Sequence, residues 1–375
     1  MMGSINIAVP TMMTSLRADV TQIQWVLTAF MIARTVVMPT LSWLGGLLGA
    51  VAVTLPEGES RQGRGLDLLG LVTMTTFVVS LLLAVSQARL YGWDSTYIVT
   101  LLAIAAANLL AFIWAELTCD EPLVSLQVFT NGQFVLGALA NFFESFTNFA
   151  MNFILALFLQ QALGFGAAHA GEIMLPAACI WGLTSLGTGH LADRIEGRWL
   201  IVLGSLSQAI VLYLFLCVNP WSTAWAVSWL LILRSLTRAF IQSPILTVTM
   251  ATLPDHQARL GAGMRGLLNS LGGTFGIAFA GIVLQERLTV RTYLLGENQH
   301  LASFEHAQLG ERIREVLQHA GEEITLLPVQ VEATFNRWLV QEATTLAYHD
   351  MFLLTAALVL LTAVPVLWLR QRRLH

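Results

Sequence analysis

Long apolar stretches alternate with short polar ones along most of this chain. Each long stretch approaches the ~20 residues with which an α-helix crosses ~30 Å of hydrocarbon. On this pattern nine transmembrane helices are predicted, at 24–55, 66–87, 97–117, 134–159, 171–188, 199–218, 223–252, 262–284 and 351–369. The apolar segment at 1–16 is too short to span and is interpreted as the remnant of a helix. The pattern therefore predicts an all-α, polytopic integral membrane protein.

The composition of the chain strengthens this prediction. Hydrophobic residues make up 56% of the 375 residues, charged residues make up 11%, and the mean hydropathy is +0.69. An ordinary soluble domain carries ~25% charged residues. The net charge of -4 arises in the loops and forms no face for nucleic acid. Cys119, Cys179 and Cys217 lie in or beside apolar segments without paired spacing, so we expect no disulfide framework, metal site or cofactor.

Sequence motifs of several other protein classes are absent. The sequence contains no Gly-x-x-x-x-Gly-Lys-Ser/Thr loop and no His-Glu-x-x-His. The stretch at 182–187 does not match a nucleophile elbow. We therefore expect neither an enzyme nor an ATP-driven pump subunit that carries its own nucleotide site.

A charged segment from Gly189 to Arg198 separates two of the predicted spans. Gly189 and Gly197 permit tight turns at helix ends, and Asp193 can pair with Arg194 or Arg198. The arginines favour a cytoplasmic location, and a plain turn would explain them equally well. The segment resembles the signature loop of the major facilitator superfamily, Gly-x-Leu-Ala-Asp-Arg-x-Gly-Arg, with one additional residue before Gly197. The resemblance implies a loop that latches neighbouring helices on the cytoplasmic side during alternating access.

Further segments resemble the fourteen-span drug:proton antiporters of that superfamily. Residues 24–30 and 39–44 are similar to the second span of these antiporters, and residues 45–56 are similar to the end of the sixth. The chain is therefore expected to lack about four spans and the first signature loop. The resemblance implies a major-facilitator-type helical bundle in the bacterial cytoplasmic (inner) membrane. In the intact family, two six-helix bundles flank two extra helices.

This resemblance divides the chain into six parts. They are a remnant of the N-terminal bundle (1–55), a cytoplasmic linker (56–65), two extra linking helices (66–118), the main C-terminal bundle (134–284), an extracytoplasmic polar loop (285–349), and the last span with a basic cytoplasmic tail (350–375). Nine arginines, Arg265 among them, fall in predicted cytoplasmic segments, against Arg17 and Arg89 in short outside loops. This asymmetry agrees with the positive-inside rule.

Polar residues recur on one face of the span predicted at 134–159. Asn141, Glu144, Asn148 and Asn152 follow helical spacing. Ionisable groups in hydrocarbon are costly unless they are paired or face a cavity. Two interpretations stay open: a central cavity in which Glu144 binds a proton or a cationic substrate, or a buried hydrogen-bonded helix contact.

Three arginines are also predicted inside spans, Arg34, Arg234 and Arg238, the last two one helical turn apart. They require carboxylates or anionic partners, and Glu144 is the candidate carboxylate. The antiporter family usually has a glutamine and a glycine-rich stretch before Pro244, so Arg238 departs from its pattern. This departure argues against simple transfer of a specificity for cationic drugs. Gly272 and Gly276 form a small-xxx-small pair that predicts close helix packing.

The function implied by the resemblance is proton-coupled efflux of drugs or other amphipathic small molecules. Because alternating access needs two repeats that move around a shared site, a shortened chain is either an inactive remnant or assembles with a second copy or another transporter. The alternative function is that of a non-transporting interaction protein whose loop at 285–349 docks a periplasmic adaptor. The expected partners are a small-molecule substrate, protons and membrane lipid, and no nucleic acid.

Overall fold

In hydrocarbon, backbone N–H and C=O groups can form hydrogen bonds only with one another, and an α-helix satisfies them within one segment. The long apolar stretches in the described part of the chain are accordingly helical. The computed structural model describes residues 68–118, 130–252, 255–301 and 327–368. Those residues form eight α-helices and no strand. They are α1 (Leu68–Tyr91), α2 (Thr96–Thr118), α3 (Gly132–Leu157), α4 (Ala167–Arg194), α5 (Gly197–Leu214), α6 (Ala224–Ala251), α7 (Asp255–Leu301) and α8 (Leu327–Leu367). The all-α prediction is confirmed. The predicted span at 24–55, the N-terminal remnant and the linker at 56–65 lie outside the described residues.

Six of the eight helices are long and apolar enough to cross a membrane. The other two, α1 and α4, were predicted as spans and are not among these six. In α1 the stretch that is described without interruption, Val72–Val85, is apolar but shorter than a span, within a helix of 24 residues. In α4, Pro176 and the polar residues Thr184, Ser185 and Thr188 dilute the apolar side chains. Its 28 residues nevertheless extend over about 42 Å at ~1.5 Å per residue, so its length suffices for a span.

The helices α3 to α8 pack as two related sets of three. Helix α3 packs chiefly on α7 and α8, while α6 packs chiefly on α4 and α5. The two sets correspond helix by helix: α3 to α6, α4 to α7 and α5 to α8. Under this correspondence the α3–α7 contact matches the α6–α4 contact, and the α3–α8 contact matches the α6–α5 contact. The two central helices, α3 and α6, also contact each other, as do α5 and α8. This is the packing expected of a bundle built from two three-helix repeats.

Glycines set the distance between α3 and α7. A Cβ added at Gly272 would stand 2.5 Å from the carbonyl oxygen of Phe142, and one at Gly276 would collide with the carbonyl oxygen of Phe146. The packing role predicted for this small-xxx-small pair is confirmed. Helices α1 and α2 form a separate pair that reaches the bundle through contacts of α1 with α7.

Two predicted loops are shorter in the structure than in the prediction. Helix α4 continues through Arg194, so that only Ile195 and Glu196 separate it from α5. Helix α7 extends to Leu301 and α8 begins at Leu327, so helix occupies both ends of the predicted loop at 285–349. Glu, Gln and Leu have high helix propensity, which allows both helices to continue beyond the hydrocarbon. The docking role of this region stays a prediction, since residues 302–326 lie outside the described part.

Polar contacts join these helical extensions to the ends of α3 and α5. Arg291 donates from Nε and Nη2 to the two carboxylate oxygens of Asp350, at 2.9 and 2.6 Å. The Tyr348 hydroxyl donates to Gln161 Oε1 at 2.7 Å. His349 Nε2 lies 2.8 Å from the carbonyl oxygen of Val218. These contacts fix α8 against this end of the bundle.

Replacing Asp350 by asparagine is expected to lower the unfolding free energy by about 1 kcal/mol, because the bidentate pair is only partly shielded from water. The midpoint of thermal unfolding of the purified chain in detergent measures this change. Arg287→Gln, at an exposed position one turn before Arg291, is the matched control. An equal shift in both variants would remove the special role of the Arg291–Asp350 pair.

Candidate functional site

The polar face of α3 points into the bundle. Asn141, Glu144 and Asn148 are at most 5% exposed, and Asn152 is half-buried. Glu144 lies midway along α3, where the surrounding helices exclude both water and lipid. A carboxylate in this position needs partners, and α6 and α7 supply cationic side chains close to it.

Arg238 of α6 is the direct partner of Glu144. Its Nε donates to Glu144 Oε1 at 3.3 Å. Its guanidinium also lies over the indole ring of Trp181 on α4, 5.0 Å from the ring centroid, a cation–π contact. Arg238 therefore joins α3, α4 and α6 at one point.

Arg234, one turn earlier on α6, is held by amides instead of a carboxylate. Nη1 donates to Asn152 Oδ1 at 3.2 Å, and Nη2 donates to Asn148 Oδ1 at 3.4 Å. Asn152 Nδ2 also donates to Asn148 Oδ1 at 3.2 Å, which orients both amides. These contacts satisfy donors of Arg234 without supplying a negative charge.

A third arginine, Arg265 of α7, lies against the same polar face of α3. Its Nη1 lies 3.5 Å from Asn141 Oδ1, and Asn141 Nδ2 donates to the carbonyl oxygen of Arg265 at 3.3 Å. Arg265 is one of the arginines in the predicted cytoplasmic segments, and that location stays a prediction. In the structure, α7 packs along α3 and brings the Arg265 side chain against Asn141.

We call Glu144, Arg234, Arg238 and Arg265, with Asn141, Asn148 and Asn152, the arginine cluster. Glu144 lies close enough to interact electrostatically with Arg234 and Arg265 as well as with Arg238. Three guanidinium groups around one carboxylate leave a formal charge of +2 in the cluster. Residual charge inside a bundle is costly, and such charges mark substrate or ion pathways in membrane proteins.

Several buried polar atoms at the cluster have no hydrogen-bond partner among the described residues. They are Nε of Arg234, Nε of Arg265, the indole Nε1 of Trp181 and Oε1 of Gln242, one turn beyond Arg238. Unsatisfied buried donors are rare in folded proteins, because each costs free energy. Trp181 was missed by sequence reasoning, since an apolar aromatic in a predicted span carries no polar signal.

The other predicted site residues lie elsewhere. Arg34 is outside the described residues. The predicted signature loop falls at the end of α4, the short turn after it and the start of α5; its residues are Gly189, Asp193, Arg194, Gly197 and Arg198. The side chains of Asp193 and Arg194 are outside the described part. Arg198 Nη2 is 3.8 Å from Glu196 Oε2, and its guanidinium lies over Trp199.

The sequence of this chain is similar to a known protein family and to several transporters and resistance proteins. The family model of the Major Facilitator Superfamily matches residues 50–277. The multidrug transporter protein MdtP of Bacillus subtilis is 30% identical over 234 residues, which are 61% of this chain and 43% of MdtP. The lincomycin resistance protein LmrB of Listeria monocytogenes is 26% identical over 215 residues, 57% of this chain and 46% of LmrB. This chain spans about half the length of the curated relatives that it matches.

A solved structure shares the fold. The crystal structure of a bacterial homolog to the human lysosomal transporter Spinster, inward-facing and unoccupied, superposes with a TM-score of 0.51. The superposition covers 99% of this chain and 95% of that chain, at 14% sequence identity. At this identity the similarity supports the fold alone.

Proposed function

This chain belongs to the major facilitator superfamily, and on that premise we propose that it exports amphipathic small molecules, drugs among them, driven by the proton gradient across the bacterial cytoplasmic membrane. One observation carries the proposal: a carboxylate, Glu144, is buried midway along a central helix and paired with Arg238. The names of MdtP and LmrB describe drug transport and drug resistance of those proteins. They agree with the substrate class proposed for this chain.

Glu144 is the group through which a proton acts in this proposal. With Glu144 ionised, Arg238 is bound to it and α3 is tied to α6. A proton on Glu144 removes the charge that holds Arg238, which leaves the guanidinium over Trp181 and loosens the contact between α3 and α6. Proton uptake thus favours one of two packing arrangements, as coupled transport requires. The turn at Gly189–Arg198 would latch the cytoplasmic ends of neighbouring helices in the same cycle.

Export from energised cells that lack their own pumps tests this proposal. One cationic and one anionic fluorescent dye, ethidium and carboxyfluorescein, are followed with and without a proton uncoupler. We expect uncoupler-sensitive export of at least one dye, and its loss in Glu144→Gln at an unchanged protein level in the membrane. Proton transfer requires an ionisable group at this position, which glutamine does not supply.

The matched control is Glu172→Gln, which makes the same chemical change at an exposed position on α4. It should leave export intact, because the polar partner of Glu172 among the described residues is His169, at the surface and away from the cluster. Full export by Glu144→Gln would remove Glu144 from the proton pathway. Absence of export of either dye by the unmodified protein, at normal membrane levels, would count against the transport proposal itself.

A further inference from the structure

We propose that the arginine cluster binds a small organic anion, a carboxylate or sulfonate, as the substrate of this protein. The inference rests on the transport role proposed above and names its substrate class. Charge, unpaired hydrogen-bond donors and the geometry of the guanidinium groups each support it.

The first argument is the charge of the cluster. Glu144 is the carboxylate that the described structure places within the cluster, and its closest contact is with Arg238. Among the described residues, the guanidinium groups of Arg234 and Arg265 donate to side-chain amide oxygens of asparagines. Uncompensated charge buried in a bundle is destabilising unless an opposite charge joins it. A bound anion supplies that charge, whereas a cation would face three guanidinium groups.

The second argument is the kind of atom left unpaired. Four polar atoms at the cluster have no hydrogen-bond partner among the described residues, and three of them are donors: Arg234 Nε, Arg265 Nε and Trp181 Nε1. An ammonium group has no acceptor to offer them. Carboxylate and sulfonate oxygens accept several hydrogen bonds, and such charge-assisted bonds are the strong ones.

The third argument is the arrangement of the guanidinium groups. Arginine presents a planar fork of donors that matches two oxygens of one carboxylate or sulfonate. Arg234 and Arg238 lie one turn apart on α6 and project to the same face of α3. Arg238 already binds one carboxylate, that of Glu144, so the site itself displays the interaction that a substrate carboxylate would make.

The membrane potential agrees with this substrate class. Because the cell interior is negative, the potential favours outward movement of an anion, which is the direction of export.

Equilibrium dialysis of the purified full-length chain in detergent tests the inference with three probes of nearly equal shape: 2-naphthoate, 2-naphthamide and 2-naphthylmethylamine. Protein-free micelles correct for partition into detergent. We expect saturable binding of 2-naphthoate at least tenfold tighter than that of the neutral and cationic probes. Because the probes share one ring system, the charge of the substituent decides the difference.

Two variants of opposite charge change sharpen the test. Arg234→Gln should weaken binding of 2-naphthoate tenfold or more. Glu144→Gln should strengthen it several-fold, because it removes the carboxylate that competes for Arg238. A gain in affinity does not arise from misfolding. Arg287→Gln, an exposed position outside the cluster, should leave the affinity unchanged.

Preference for 2-naphthylmethylamine, with loss of that preference in Glu144→Gln, would overturn the inference and assign the site to cations. Equal binding of the three probes would overturn it too. Neither result bears on dye export, since the dialysis uses no gradient. Loss of export with retained binding of 2-naphthoate would instead count against the transport proposal while the anion site stands.

Discussion

Gly276→Leu is expected to prevent the bundle from assembling. The glycine of α7 lies against the carbonyl oxygen of Phe146 on α3, and even a single added carbon would collide with it. That oxygen belongs to the backbone of a central helix, so it moves only if α3 and α7 separate along their contact. Overpacking typically costs about 1–3 kcal/mol and occasionally more, and a clash with backbone is expected at the upper end of that range. We expect loss of monodisperse protein in detergent extracts of membranes, followed through a fluorescent fusion by size-exclusion chromatography.

Gly182→Leu is the matched control for this prediction. It makes the same substitution inside helix α4, at a glycine whose Cβ would meet no atom within 4 Å. There leucine also has better helix propensity than glycine, so the change should be neutral or stabilising. Equal loss of monodisperse protein in both variants would show that the contact between α3 and α7 is not what limits assembly.

Periodicity in the sequence was sufficient to predict the helices and the faces that meet at the cluster. Asn141, Glu144 and Asn148 recur at a helical spacing, which predicts that they share one face of their helix. Arg234 and Arg238 are four residues apart for the same reason. These predictions rest on local geometry, which the 3.6-residue period fixes without knowledge of any neighbouring helix.

The spacing of residues within one helix does not reveal which helices are neighbours. Trp181 and Arg265 reach the cluster only because α4 packs on α6 and α7 packs on α3. Arg265, near the start of a predicted span, carried the same signal as a cytoplasmic arginine. The polar segment at 285–349 has helical character in its sequence, rich in Glu and Gln. The hydropathy that predicts spans does not reveal, however, that α7 continues through Leu301 and that α8 begins as early as Leu327.

Arg238→Met is expected to lower the unfolding free energy by roughly 3–5 kcal/mol, because it leaves the carboxylate of Glu144 buried without its partner. The side chain of Glu144 is only 6% exposed, so water does not replace the lost guanidinium. Methionine retains much of the length of arginine but makes no cation–π contact with Trp181. The change is measured by the unfolding midpoint of the purified chain in detergent.

The double variant Arg238→Met with Glu144→Gln should recover most of that loss. Replacing both partners removes the charge that made the single variant costly, whereas two independent sites would give additive losses. Additivity would mean that Glu144 finds another cation when Arg238 is absent, with Arg234 and Arg265 as the candidates. Recovery would instead show that Arg238 alone compensates Glu144. The remaining two arginines would then keep their charge free for a substrate, as the proposed anion site requires.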